Sequence, residues 1–273
     1  MERSQVTVGG HEIGSQEAIR QTSDNLSSTI VLLGGRNVNN EKKHKNVLTG
    51  DCHPSLLGVI HLMRVLVACE SSGVVRDAFS SKGHDAWSCD LLPAKGNHIQ
   101  GDATEVLEHG WDLLIAHPPC TYLSASGMHW TTRGLRDPKL TDDAMELVKA
   151  FVNAPIAKIC VENSVGVIST RYKKPDQYIQ PYFFGEDASK KTGLWLKNLP
   201  KLRNTAFVEP RMVKGMPRWA NQTDSGQNRL PPSKNRWQKR SQTYKGIAEA
   251  MADQWGQESV ASSECLLASA IMP

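Results

Sequence analysis

The chain has no run of about 18 apolar residues, so no membrane-spanning helix is expected. Its first residues lack a basic stretch followed by a long apolar one, so no signal peptide is expected either. No Cys-x-x-Cys occurs, and the six cysteines among 273 residues show no framework spacing. That excludes a disulfide scaffold and fits a reduced, cytoplasmic protein. No cluster of His, Cys, Asp or Glu has ligand spacing, so no metal is expected. His84, His117 and His129 are scattered and read as loop or surface residues. GxGxxG and GxxxxGK[ST] are both missing, which argues against a dinucleotide or a nucleoside triphosphate. Hydrophobic residues at 39% and charged residues at 22% are ordinary for a globular chain.

Charge is present but unevenly spread. The net charge is only +4, yet fourteen Lys or Arg fall between Lys190 and Lys245, opposed by Glu209 and Asp224 alone. The rest of the chain is therefore net acidic. A basic block of this density suits a polyanion such as nucleic acid.

Residues 1–62 are rich in Ser, Asn, Thr, Gln and Gly, with one short apolar run from Ile30 to Leu33. They read as a poorly ordered extension. From Met63 onward, strand and helix patterns alternate. Strands are predicted at 65–68, 85–90, 111–116 and 157–161, and helices at 74–82, 141–153 and 247–255. Thr141 is the predicted N-cap of the second helix and Gly83 fits the end of the first. This rhythm predicts a parallel α/β sheet. The divisions are a core over 63–199, a small basic, loop-rich region over 200–243, a returning helix over 244–256 and a tail over 257–273.

In an open α/β sheet, ligands sit beyond the carboxyl ends of the strands. The first strand ends in Cys69-Glu70-Ser71-Ser72-Gly73, a turn of small residues before a helix. Asp90-Leu91 follows the second strand, and Gly101-Asp102 follows next. A turn and then two acids, in that order, fits an adenosine-bearing ligand. The run Asp112-Leu113-Leu114-Ile115-Ala116-His117-Pro118-Pro119-Cys120 delivers a thiol on a rigid Pro-Pro mount. Cys69, Cys89 and Cys160 lie in or beside apolar strands and read as structural thiols. The run Ile159-Cys160-Val161-Glu162-Asn163 ends a second buried strand in a carboxylate. A Glu there, facing substrate, is expected to be protonated and to donate to a ring nitrogen.

Pro118-Pro119-Cys120, Glu162-Asn163 and the early turn resemble the DNA (cytosine-5)-methyltransferases, and most of all the short phage and prophage versions. The likeness runs from Met63 to about Gly256. It implies a Rossmann-like S-adenosylmethionine-dependent methyltransferase fold with a small basic DNA-recognition region. It implies S-adenosyl-L-methionine as cofactor, held by Cys69, Glu70, Ser71, Gly73, Asp90, Leu91, Asp102 and Pro118. Cys120 would be the nucleophile for carbon 6 of a flipped-out cytosine. Glu162 would act on ring nitrogen 3, Asn163 would hold the Glu162 loop, and Lys191, or its neighbour Lys190, would touch the base or favour the thiolate. Residues 121–137 would be a mobile closing loop. Ser124, Arg133, Arg136, Arg218, Trp219, Arg236 and Trp237 would contact double-stranded DNA. The expected protein is a monomer in the cytoplasm of a bacterial or phage-infected cell. Ser71 replaces a family Gly, Lys190-Lys191 stand where Arg is preferred, and the usual Gly-Asn of the last motif is absent. These departures keep two rivals open: a DNA-binding protein of this fold with impaired turnover, and an amino-methyltransferase acting on cytosine N4 or adenine N6.

Overall fold

A computed structural model describes residues 62–257. The expected extension and tail lie outside these residues, apart from Leu62 and Gln257. Strands form at β1 (Arg64–Ala68), β2 (Asp85–Asp90), β3 (His98–Gln100), β4 (Leu113–Ala116), β5 (Lys158–Ser164), β6 (Gln177–Ile179) and β7 (Thr192–Lys197). They make one sheet in the order β3-β2-β1-β4-β5-β7-β6. The pairs from β3 to β5 are parallel, and β7 runs antiparallel to both β5 and β6. The strand order reverses between β1 and β4, which opens the ligand crevice at their carboxyl ends.

Helices cover both faces. They are α1 (Val74–Ser81), α2 (Cys120–Leu123), α3 (Ala125–Thr132), α4 (Lys139–Val152) and α5 (Ile168–Arg171), then α6 (Arg236–Ser241) and α7 (Lys245–Trp255). Successive strand residues point to opposite faces. Leu66, Leu114, Ile159 and Val161 therefore pack with Met145, Val148 and Phe151 of α4. Val65, Val67, Leu113 and Ile115 pack with Phe79 of α1 and Met251 and Trp255 of α7. The continuous apolar runs of β1 and β4 follow from burial on both sides. This is the Rossmann-like architecture that the sequence predicts.

Past β7, the basic region contributes a hairpin of β8 (Arg211–Val213) and β9 (Met216–Arg218), then α6. Its local core is Trp219, buried and stacked on Tyr182 at 4.0 Å and 8°.

Three expectations of local structure need correction. Helix α4 starts at Lys139, and Thr141 is buried in its first turn rather than capping it. Asp137 does the capping, its Oδ1 accepting from the Lys139 N–H at 2.9 Å. Residues 121–137, expected as a loop, fold mostly into α2 and α3. Ser124 caps α3 by accepting from the Gly127 N–H at 3.1 Å, and Arg136 donates to the carbonyls of Thr121 and Gly127. Gly127 is required by close approach, since a Cβ there would collide with the Thr121 carbonyl. His84 is not a surface residue. It is buried, and its Nδ1 accepts from the Met63 N–H at 3.3 Å.

Candidate active site

The parallel pairing of β1, β4 and β5 aligns Ala68, Ala116 and Val161 in one row. Each is followed at once by a polar residue. Cys69, His117 and Glu162 therefore emerge together at the crevice. His117 Nδ1 lies 2.7 Å from Glu162 Oε2, and both side chains are about nine-tenths buried. His117 lies in the loop that follows β4, as read, but it is buried there rather than at the surface. Its partner lies 45 positions away, and only the β4–β5 register brings them together.

Burial works to raise the Glu162 carboxyl. The hydrogen bond to His117, the Lys190 charge and the Thr192 hydroxyl outweigh it and hold the group below the usual carboxylate value. In the free protein these partners favour the ionised carboxylate, and the expected protonation concerns the substrate-filled site. Asn163 donates from Nδ2 to the Pro118 carbonyl at 2.7 Å, tying β5 to the Pro-Pro mount. Asn163 Oδ1 and His117 Nε2 are buried without a hydrogen-bond partner. Such orphans are costly, and at the mouth of a crevice they point to an incoming ligand.

Cys120 opens α2. Burial pushes its thiol up, Glu162 adds to that, and Lys190 and Arg240 pull it back. The other three described cysteines have no such cations. Burial first, with Asp90, Cys89 and Asp102, pushes Cys69 up to about 12. Burial also pushes Cys89 up to about 11 and holds Cys160 well above its ordinary value. On balance the Cys120 thiol stays above its ordinary value, but it is the one described cysteine whose burial is opposed by cations. The lysine facing it is Lys190, which lines the clefts on both sides of Cys120. Lys191 is exposed, with its Nζ 4.4 Å from the centre of the Tyr178 ring. The electrostatic role expected of Lys191 falls to its neighbour.

Two clefts meet at Cys120. The first, about 1230 Å³, includes Cys69, Glu70, Ser71, Asp90, Leu91, Asp102 and Pro118 in its wall. Gly73 lies just behind it, with φ +74 at the N-cap of α1. Arg76 packs against Gly73, donating to Ser88 Oγ and the Lys95 carbonyl. Glu70 is occupied, since Oε1 accepts from the Val75 N–H at 2.8 Å and Oε2 from the Arg76 N–H at 3.3 Å. It caps α1. Asp90 Oδ1 accepts from the Leu92 N–H and Asp102 Oδ1 from the Thr104 N–H, both turns that leave the second oxygen of each carboxylate for a ligand hydroxyl or amine. Leu91 is 74% exposed, an apolar lid beside them. This donor and acceptor set, with an apolar face, fits a nucleoside. Residues 235–243, which sequence reasoning assigned to DNA alone, also border this cleft.

The second cleft, about 920 Å³, gathers Ser124, Arg136, Arg236 and Trp237 with Lys190 and Lys191. Three residues expected on DNA lie outside its wall. Trp219 is in the local core, against the expectation. Arg218 donates to the carbonyls of Pro217 and Asp224, and Arg133 is exposed at the end of α3. Among the described residues no group of three or more His, Cys, Asp or Glu could hold a metal ion, and no helix is long and apolar enough to cross a membrane.

No protein-family model and no curated protein matches the chain. Among the solved structures that the chain matches, two illustrate a limited likeness. One, described as a candidate DNA modification methyltransferase encoded within a prophage of E. coli, is 13% identical with a TM-score of 0.36, over 49% of this chain and 46% of its own. The other, a methyltransferase of Entamoeba histolytica, is 12% identical with a TM-score of 0.35, over 55% and 58%. The chain thus spans about half the length of the solved structures it matches. At these scores neither likeness bears on the chemistry.

Proposed function

We propose that the chain is an S-adenosylmethionine-dependent DNA cytosine C5 methyltransferase. The observation that carries this is the junction at Cys120. A thiol backed by Lys190 and Arg240 stands between a nucleoside-fitting cleft and a cationic one, beside the Glu162–His117 pair. Asp90, Asp102 and Leu91 would hold the adenosine half of the cofactor, which when bound supplies an electrophilic methyl group.

The protein's own groups account for activating the base. Carbon 5 of cytosine is a poor nucleophile. The Cys120 thiolate adds to carbon 6, forming a C–S bond and pushing electrons toward carbon 5 and nitrogen 3. Glu162, a carboxylate in the free protein, takes up the Cys120 thiol proton as the thiolate forms and passes it to nitrogen 3. A base filling the crevice excludes water and strengthens the burial that already works to raise this carboxyl. His117 meanwhile holds Oε2 and leaves Oε1 for the base. After carbon 5 is methylated, loss of its proton to solvent water expels the Cys120 thiolate, nitrogen 3 returns its proton to Glu162, and Glu162 returns it to the thiolate.

Amino-methylation calls for an aromatic stacking face beside the Pro-Pro turn. Tyr122 is the nearest aromatic, but its ring is covered by the Arg136 guanidinium at 5.3 Å, which favours the C5 reading. The test is methyl transfer to DNA followed by digestion to nucleosides. 5-Methylcytosine is expected. N4-methylcytosine or N6-methyladenine would replace the proposal with the amino reading, and no methylation with DNA binding intact would replace it with the binding-only reading.

A further inference from the structure

The second cleft has a composition that the methylation chemistry does not require. Six cationic side chains line it, Arg136, Lys190, Lys191, Arg236, Lys239 and Arg240, of which Arg136 and Arg236 also donate to backbone carbonyls and Lys191 lies over Tyr178, and its wall contains no carboxylate. Two tryptophans stand in the same wall, Trp130 of α3 at 50% exposure and Trp237 of α6 at 55%. Packing explains neither. Helix α3 buries only Thr131 and α6 buries nothing. Exposed indoles in a cationic groove are the parts of a stacking platform for unpaired bases. A duplex hides its base faces in the stack and offers only edges and phosphates.

The basic region also lacks an element suited to a duplex groove. Strands β8 and β9 have three residues each, about 10 Å of extended chain. Helix α6 has six residues, about 9 Å. Trp219 is committed to Tyr182, and Arg218 to the carbonyls of Pro217 and Asp224.

We infer that the substrate is single-stranded DNA, its bases stacked on Trp130 and Trp237 and its phosphates tracked by the surrounding cations. This replaces the duplex expected from the family resemblance. It rests on the methylation reading for the choice of base at Cys120, and it lowers the cost of extruding the cytosine, which is least for an already single-stranded base.

The test uses the full chain and fluorescence anisotropy with one mixed-sequence oligonucleotide, presented as single-stranded DNA, as duplex and as single-stranded RNA. Single-stranded DNA is expected to bind about tenfold more tightly than duplex. Trp130→Ala and Trp237→Ala should each weaken single-strand binding about tenfold, and Trp→Phe should retain most of it. Both side chains are exposed, and circular dichroism checks that the variants fold. Equal or tighter duplex binding, or single-strand affinity unmoved by both alanine variants, would overturn the inference. Tighter binding of the RNA would overturn the choice of DNA. Nucleoside analysis of the same DNAs separates the two proposals. Single-strand binding without 5-methylcytosine sinks the C5 reading and leaves the platform standing. 5-Methylcytosine formed faster in duplex sinks the platform and leaves the C5 reading standing.

Discussion

Removing the imidazole of His117 tests the site's electrostatics without needing substrate. Glu162 and His117 form a buried pair at 2.7 Å. In His117→Ala the carboxylate keeps its burial but loses the partner that does most to counter it. Losing a hydrogen bond to a buried charged group costs up to about 3 kcal/mol. Lys190 and Thr192 remain, so about 2–3 kcal/mol is expected at pH 7. For a domain of this size that is a fall of roughly 1–2 M in the urea midpoint. The sign with pH follows from the direction of the shift. In the parent protein the lowered Glu162 carboxyl contributes stability above its unfolded value, and loses it as pH falls through the folded one. In the variant, burial is opposed only by Lys190 and Thr192, so the carboxyl rises and its charge becomes a penalty at neutral pH. The gap between parent and variant should therefore be widest near pH 7 and narrow as the pH drops into the carboxylate range. Adding Glu162→Gln to His117→Ala should recover much of the loss, because the uncompensated charge is gone. A loss that is constant with pH and unrelieved in the double variant would reduce His117 to packing and refute the reasoning.

Other outcomes follow from the same geometry. Iodoacetamide should label Cys120 in the native protein well before Cys69, Cys89 or Cys160. Lys190→Ala should slow that labelling at pH 8, because the cation that most opposes burial of the thiol is lost; Lys191→Ala should not, and equal effects would return the role to both lysines. Asp90→Ala should weaken S-adenosylmethionine binding about tenfold by calorimetry, the scale of a lost hydrogen bond to a charged group; unchanged affinity would place the ribose elsewhere. Gly127→Ala should cost roughly 1–3 kcal/mol in urea unfolding, because the added methyl meets the Thr121 carbonyl; a neutral effect would mean that this turn yields.

The sheet was legible because burial on both faces leaves a plain mark, the unbroken apolar runs of β1 and β4. So was the thiol on its Pro-Pro mount, a local feature of eight or nine residues. What escaped depended on distance or on competition. The His117–Glu162 pair exists only through strand register, and the signal that would have found it is the polar residue following each aligned strand. Lys190 and Lys191 look alike in sequence, and the path of the chain entering β7 decides which one faces Cys120. Trp219 and Trp237 both sit beside an arginine, yet one finds Tyr182 to stack on while the other stays in solvent. Residues 121–137 are expected as a loop from the family resemblance. The Ser124 cap and the Arg136 bonds to two carbonyls make most of the segment helical.

The central claim is that Cys120 attacks carbon 6 of a cytosine. DNA containing 5-fluorocytosine tests it most directly, because fluorine cannot leave as a cation and the adduct is trapped. Incubated with S-adenosylmethionine and the full chain, it should give a denaturation-resistant protein–DNA species whose cross-linked peptide contains Cys120, absent in Cys120→Ser. An adduct mapped to another residue, or none on single- or double-stranded DNA that the protein demonstrably binds, would contradict the account.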